Sequence, residues 1–167
     1  MSARGITPTH QNEGPPISNS SDTRKQLIQN KETVLQMWSH VYAREWDALR
    51  NILAPECKHK DMPAPDAGAI GPDNIVSRLR IGFDLIERFE HTVSRVVAED
   101  DAIIVEHRER WHFKTGEVVE NHLVSVHEVL DGKISLWRDY WDINGMLSNA
   151  PQWWIEAIAN ESPRDFS

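Results

Sequence analysis

Apolar side chains recur every three or four positions in the first half of the chain and every second position in most of the second half. The first spacing is typical of helices that bury one face, and the second of strands that bury one face. Pro55 would end the second helix, and Asp73 or a neighbour would cap the third. The predicted helices and the short strand between the second and third of them cover residues 23–43, 45–55, 57–62 and 73–89.

Four strand-like runs follow, separated by the turn signals Asp100-Asp101, Thr115-Gly116 and Asp131-Gly132. A weak terminal helix is predicted after them. Helices first and an antiparallel meander afterwards indicate an α+β fold, in which a strongly curved sheet wraps around a helical layer and leaves a pocket at its open end. The four runs and the terminal helix cover residues 90–99, 101–113, 117–130, 133–143 and 144–161.

A length of 167 residues with 40% hydrophobic and 26% charged residues fits one domain with a sizeable core. The first 22 residues are rich in Pro, Ser, Gly and Asn and carry few apolar side chains, which predicts a disordered tail. The domain is therefore predicted over residues 23–160, with a short tail over residues 161–167.

The formal charge of −8 argues against nucleic acid as a partner, because phosphate binding needs a concentrated basic face. No apolar run is long enough for a membrane helix or a secretory signal. The single cysteine, Cys57, excludes an internal disulfide framework and favours a reducing compartment. We therefore expect a cytoplasmic protein that binds neither nucleic acid nor membrane.

Ionisable residues interrupt the apolar faces of three predicted strands. Alternation places Asp139 between Trp137 and Trp141, where loss of water would raise the pKa of the carboxyl group. His107 and Glu109 share a face with apolar residues of the second long strand. His59 and Asp61 share a face of the short early strand, and a polar lining continues in the third long strand. Its members are Asn121, Ser125 and His127.

Each of these residues alone has an ordinary structural interpretation, such as a core histidine or, for Glu109, an ion pair with Arg108 or Arg110 across a bulge. Five inward ionisable groups together need partners, and a network among themselves would perturb their pKa values and favour acid–base chemistry. A metal site is the alternative, since two histidines and two carboxylates form a known ligand pattern. Its ligands would be His59, Asp61, His107 and Glu109.

Other chemistries are less compatible with the sequence. No nucleophile signature surrounds Cys57, and the chain has neither a P-loop nor a dinucleotide-binding glycine motif. We therefore expect no cofactor.

The segment "DGKISLWRDYWDINGM" resembles the closing strand of the limonene-1,2-epoxide hydrolase family, within the NTF2-like (SnoaL-like) superfamily. "DMPAP" is similar to the family's Asn-Met-Pro segment, and "VEHRERW" stands where the family has Thr-Glu-Arg-x-Asp. The resemblance runs from about Glu32 to Met146. It implies a homodimer of cone-shaped α+β subunits, a deep apolar pocket, no cofactor, and a site in which one Asp protonates an epoxide while another activates water.

Carried over by position, the family's acidic residue in Trp-Arg-Asp is identical here, as Asp139. Glu109 replaces the second Asp, and His107 replaces the arginine that holds the two acids together. His59 and Asp61 replace a Tyr and an Asn that hold the water. A protonated His107 would partly substitute for the guanidinium, whereas the changed water clamp leaves the hydrolase mechanism only in part transferable.

We expect an enzyme that opens an epoxide of a small, largely apolar oxygenated molecule, by water or by an internal nucleophile. Asp139 would be the general acid and Glu109 or Asp61 the base, oriented by His107 and His59. The alternatives are an isomerase, cyclase or dehydratase of a polyketide or terpenoid intermediate, and a non-catalytic ligand-binding protein. The predicted pocket walls are Trp38, Val41, Phe83, Ile86, Trp111, Leu123, Trp137 and Trp141.

Overall fold

The computed structural model describes residues 20–161, where five helices pack on one face of a six-stranded sheet. The predicted tails, residues 1–22 and 161–167, fall almost entirely outside the described residues. The helices are α1 (Ser20–Ala43), α2 (Trp46–Ile52), α3 (Pro72–Phe83), α4 (Ile143–Asn149) and α5 (Gln152–Glu161). The strands are β1 (Leu53–Asp61), β2 (Ala69–Ile70), β3 (Arg88–Glu99), β4 (Ala102–His112), β5 (Val118–Leu130) and β6 (Lys133–Trp141).

Helix α1 lies against the inner face of the sheet through one apolar stripe. Val34, Met37, Trp38 and Val41 are buried, at the i, i+3, i+4, i+7 spacing that places side chains on one side of a helix. Burying a side chain of this size contributes roughly 1.5–3 kcal/mol, so the stripe fixes the helix on the sheet. It also places the Trp38 ring over the middle of the inner face.

The sheet has the order β2-β1-β6-β5-β4-β3, in which β1 runs parallel to β6 and all other neighbours are antiparallel. Side chains of β4 and β5 alternate between buried and exposed along their length, so each strand has one inner and one outer face. Irregular pairing between Val93 and Arg95 of β3 and between Glu128 and Val129 of β5 marks bulges. Bulges bend and twist strands, which is how a sheet wraps around a helical layer.

Two element boundaries differ from the sequence prediction near β1. Strand β1 begins at Leu53 and contains Pro55, which therefore does not mark the end of a helix. Its pairing with β6 is interrupted between Leu53 and Lys58, so the missing N–H of Pro55 removes no ladder bond there. The loop predicted after β1 contains the short strand β2.

Helix α3 ends at Phe83, six residues before the predicted end, because Arg88 and Phe89 already pair with β4. Its N-cap is Gly71, whose φ of 83° suits glycine, and not Asp73, which accepts a hydrogen bond from Arg50 at 2.8 Å. The terminal helix is divided into α4 and α5 just before Pro151, whose missing N–H cannot continue a helix.

The core has two parts. The larger one joins α1, α2 and α3 to inner-face residues of β1, β4, β5 and β6, and the smaller one joins α4 and α5 to the strand ends near Trp111 and Phe113. The two parts leave a cavity between the helices and the sheet. No helix among residues 20–161 is both long and apolar enough to cross a membrane.

Candidate active site

A cavity of about 560 Å³ opens between the inner face of the sheet and helices α3, α4 and α5. Most of its wall is apolar and aromatic, as in pockets that hold small molecules. Two of the predicted wall residues, Val41 and Ile86, do not line the cavity, because their side chains are buried in the core. The predicted residues that do line it are Trp38, Phe83, Trp111, Leu123, Trp137 and Trp141.

Asp139 lies on this wall and is held by three donors. Strand pairing places Ser125 of β5 and Asp61 of β1 directly beside it. Its Oδ1 accepts hydrogen bonds from Trp137 Nε1 at 2.8 Å and from the Ser125 hydroxyl, and its Oδ2 accepts a long one, 3.4 Å, from His59 Nε2. Since Asp139 is only 5% exposed, these bonds replace nearly all of its hydration.

The pKa of Asp139 lies below its usual range. Burial alone would raise it, but the hydrogen bond and charge of His59 and the hydrogen bond of Ser125 outweigh burial. His127 also lowers it by its charge, although His127 is neutral near pH 7 and contributes little there. The predicted increase in the Asp139 pKa is therefore wrong: the indole of Trp137 is a donor to the carboxylate, and the indole of Trp141 binds Asp61 at 3.1 Å instead.

Glu109 is the carboxyl group whose pKa is raised, to about 7. Burial is the largest cause, and the charges of Asp139 and Asp61 add to it. Hydrogen bonds from the Tyr42 hydroxyl and from Trp111 Nε1, the latter at 2.8 Å, only partly oppose it. Glu109 also lines the cavity, so the same space contains an ionised carboxylate and a carboxyl group that is still about half protonated near pH 7.

Asp61, the last residue of β1, lies on the cavity wall beside β6 and faces Arg78 of α3. Its carboxylate accepts from Arg78 at 3.1 Å and from Trp141, and Arg78 also binds Asp66 at 3.0 Å. Arg78 therefore supplies the positive charge that this acidic part of the wall needs.

His59, Asp61 and Asp139 each offer one ligand atom within 4.8 Å of the others, a spacing that a metal ion can bridge. Both carboxylates already accept hydrogen bonds from protein donors and one is paired with Arg78, so we interpret the trio as an ion-pair network. The four-residue metal set predicted from the sequence does not assemble among residues 20–161, because His107 and Glu109 face other partners.

The histidines lie behind the cavity wall. His59 and His107 do not line the cavity, and His107 Nε2 is 2.9 Å from Ser125 Oγ while its Nδ1 is 3.0 Å from His91 Nε2. Burial lowers the pKa of His107 to about 3 and that of His91 to about 4. His107 is thus neutral at physiological pH, and the expected substitution of a protonated His107 for the family's arginine is wrong.

Burial also lowers the pKa of His127, to about 4. Three buried polar ring atoms have no partner among residues 20–161, namely Trp38 Nε1, His59 Nδ1 and His127 Nε2. All three rings contact Trp137, the indole donor to Asp139. Unpartnered buried polar atoms are rare in folded proteins, and here they concentrate in the rings around Trp137.

Three residues of the site were not singled out in the sequence. Tyr42 lies one helical turn after Trp38, so helical spacing predicts that it faces the core. The spacing does not indicate its hydrogen-bond partner, Glu109, which is 67 residues away in the chain. Arg78 follows Ile75 on the buried side of α3. His91 alternates with Phe89 on the inner face of β3, ahead of the bulge that follows Val93.

Residues 34–137 match the family model described as the SnoaL-like domain, which is more than half of the chain. The chain belongs to the SnoaL-like domain family. No curated protein matches the sequence. The predicted NTF2-like α+β fold is confirmed by this match and by similar solved structures.

An LEH-like epoxide hydrolase from M. tuberculosis superposes with a TM-score of 0.64 at 20% identity, covering 83% of this chain and 99% of that one. A candidate SnoaL-like polyketide cyclase from Jannaschia sp. CCS1 has a TM-score of 0.67 at 20% identity, covering 74% and 94%. A candidate ketosteroid isomerase from Kribbella flavida has 0.56 at 18% identity, covering 70% and 80%. At these identities the similarity establishes the fold that this SnoaL-like chain shares with them.

Proposed function

We propose that this SnoaL-like protein is a cofactor-independent acid–base enzyme that opens an epoxide in a small, largely apolar molecule. One observation carries the proposal: Asp139 and Glu109 line the same cavity with pKa values moved in opposite directions. Two titratable groups whose environments separate their pKa values are the arrangement that general acid–base catalysis uses.

These opposite pKa shifts make Asp139 the base and Glu109 the acid, the reverse of the roles expected from the sequence. Ionised Asp139 takes a proton from water, whose oxygen forms a bond to one epoxide carbon. The C–O bond breaks, and the released oxygen takes the proton of Glu109. Within residues 20–161, Asp139 Oδ2 accepts a single hydrogen bond, the long one from His59, which leaves a lone pair for this task.

The remaining wall suits an apolar substrate with a polar group. The aromatic rings of Trp38, Phe83 and Trp111 provide apolar surface. The Asn121 amide also lines the cavity, is paired in register with Glu109, and has no side-chain hydrogen bond within residues 20–161. It is therefore available to orient a substrate oxygen beside the acid. The similar structure from M. tuberculosis, an LEH-like epoxide hydrolase, supports the choice of substrate class.

The test is turnover of a panel of terpenoid and polyketide epoxides in heavy-oxygen water, with products followed by mass spectrometry. We expect labelled diol from the wild type and from Arg138→Gln, an outward-facing control on β6, but none above background from Asp139→Asn. An Asp139→Asn variant that folds and retains full turnover would overturn the assignment of the base.

A second candidate is an isomerase or cyclase that moves a proton between Asp139 and Glu109 without adding water. The mostly apolar wall favours it, because such a wall limits the water available as a nucleophile. The similarity to a candidate polyketide cyclase points to the same class. An unlabelled, rearranged product in the same experiment would select this candidate.

The homodimer implied by the resemblance remains a proposal. The outer face of the sheet exposes apolar side chains of adjacent strands, among them Val97, Ile104 and Val124. A second copy would cover them, since exposed apolar side chains that cluster mark association surfaces. A measured mass of twice 19.2 kDa by light scattering would support it, and a monomer at all concentrations would exclude it.

A further inference from the structure

Among residues 20–161, Asn121 is the one side-chain amide on the cavity wall, and it has no hydrogen-bond partner there. It is only 6% exposed, and its neighbours on the inner face of β5, Val119 and Leu123, are apolar. An inward amide without a protein partner is unfavourable unless water or a ligand completes its hydrogen bonds. The charged side chains of the wall, in contrast, each bind a protein partner. They are Asp61, Asp66, Arg78, Glu109 and Asp139.

Strand register fixes the position of Asn121 relative to the two carboxyl groups of the cavity. Asn121 pairs with Glu109 of β4, and Ser125, four residues further along β5, pairs with Asp139 of β6. At about 3.3 Å per residue, these two register positions are about 13 Å apart along β5. Leu123 lies between them on the same face. Asn121 therefore lies at the Glu109 end of the cavity, away from Asp139.

We propose that Asn121 binds a second oxygen of the substrate, a hydroxyl or carbonyl on the carbon next to the epoxide, and thereby selects the carbon that water attacks. The inference rests on the proposed function, in which Glu109 is the acid and Asp139 the base. The Cβ atoms of directly paired strand residues are about 5 Å apart, so the substrate oxygens bound by Glu109 and Asn121 are close neighbours. An amide has both a donor and an acceptor, so it binds a carbonyl or a hydroxyl.

The same arrangement determines where the water oxygen is added. Water that gives a proton to Asp139 forms its bond to the epoxide carbon facing that end of the cavity. The bond from this carbon to the epoxide oxygen breaks, and the oxygen stays on the other carbon and takes the proton of Glu109. The carbon that keeps the oxygen therefore carries the substituent bound by Asn121. Water is added to the carbon farther from the second oxygen.

A structural role for Asn121 predicts a different response of stability to mutation. Because the amide makes no hydrogen bond within residues 20–161, its replacement by leucine removes an unfavourable polar group and no native bond. Asn121→Leu should therefore unfold at a urea concentration at least as high as the wild type. Asn51→Leu, the same change at an exposed position of α2, is the matched control. A lower midpoint for Asn121→Leu than for both would show a structural role and overturn the proposal.

The first binding test does not require turnover. Menthone, a ketone, and its exocyclic-methylene analogue have the same shape, and only the ketone accepts a hydrogen bond. Quenching of tryptophan fluorescence reports their binding, since tryptophans line the cavity. Menthone should bind Asn121→Leu about tenfold more weakly than the wild type or Asn51→Leu, whereas the analogue should bind all three alike. Equal changes for both ligands in Asn121→Leu would show that Asn121 only shapes the cavity and would overturn the proposal.

The second test uses a straight-chain, ten-carbon epoxide with a hydroxyl on the carbon next to the ring, and the same epoxide without the hydroxyl. The wild type and Asn51→Leu should show a kcat/KM about tenfold higher for the epoxy alcohol, and Asn121→Leu should lose this preference. In heavy-oxygen water, fragment masses of the product should place the label on the carbon farther from the hydroxyl. Asn121→Leu should label both carbons. A preference that Asn121→Leu retains, or label on the nearer carbon in the wild type, would overturn the proposal.

The two tests distinguish this proposal from the proposed function. Absence of turnover for every epoxide would reject the proposed function together with the assigned point of attack, and the menthone comparison would still decide whether Asn121 binds a ligand oxygen. Turnover that shows no difference between wild type and Asn121→Leu in substrate preference or label position would reject the role of Asn121 and leave the epoxide activity established.

Discussion

The two buried carboxyl groups of the cavity occupy contrasting surroundings. Asp139, between β1 and β5, accepts hydrogen bonds from a hydroxyl, an indole and a histidine, and its pKa is lowered. Glu109, on β4 and facing α1, accepts from a phenol and an indole among the described residues, and its pKa is raised to about 7. Both are at most 5% exposed, so their hydrogen-bond donors and the charges of their neighbours, and not a difference in burial, set the two pKa values apart.

Removing the ionised member should have the largest effect on this pair. Asp139→Asn keeps the shape and an acceptor for Trp137 but removes the base, and kcat should fall on the order of a thousandfold. Single-turnover kinetics on the responsive epoxide measures the loss, with Arg138→Gln as the control. A fall of less than threefold in a folded variant would show that the ionised carboxylate is not the base.

The second prediction concerns stability. The raised pKa of Glu109 means that, between its ordinary pKa of 4.5 and about 7, the folded state binds more protons than the unfolded state. Stability contributed by this group is therefore present below that window and is lost as pH rises through about 7. Glu109→Gln removes the titration, so its free energy of unfolding relative to the wild type should rise by about 3 kcal/mol between pH 4 and pH 9.

Urea unfolding of both proteins across this pH range measures that change. Glu120→Gln, an outward-facing carboxylate on β5, serves as the control. A difference between Glu109→Gln and wild type that stays constant with pH would contradict the raised pKa.

The kinetic counterpart is a change in the pH profile. Since the acid must hold its proton, the wild-type rate should fall above about pH 7, and below a more acidic limit the rate should fall as Asp139 becomes protonated. Glu109→Gln should lower kcat roughly a hundredfold and abolish the alkaline fall. A persistent alkaline fall in this variant would place the acid elsewhere.

The smallest expected effect comes from Asp61, whose charge helps to raise the pKa of Glu109. Asp61→Asn should move the alkaline fall towards lower pH and change kcat at the optimum by less than about threefold. Asp66→Asn is the matched control, because it also loses a contact with Arg78 but is not among the causes of the Glu109 shift. An unchanged pH profile in Asp61→Asn would show that the charge of Asp61 does not raise the pKa of Glu109.

The sequence predicted the fold and the inward set of ionisable residues because period-two alternation in the strands records which side chains face the core. Asp139 and Glu109 are buried as that alternation indicates. Their protonation states could not be predicted, because these depend on donors from other elements, such as Tyr42 on α1. Alternation also gives the face of a residue but not its depth, so it did not separate cavity-lining Glu109 from His107 behind the wall.

Carbon-13 NMR of the carboxyl groups, titrated from pH 3 to pH 9 in the wild type, Glu109→Gln and Asp139→Asn, tests the central claim most directly. We predict one carboxyl that titrates near pH 7, is absent in Glu109→Gln, and persists at a lower midpoint in Asp139→Asn because a neighbouring negative charge is gone. A neutral-range titration that survives in Glu109→Gln and disappears in Asp139→Asn would reverse the roles and contradict the account.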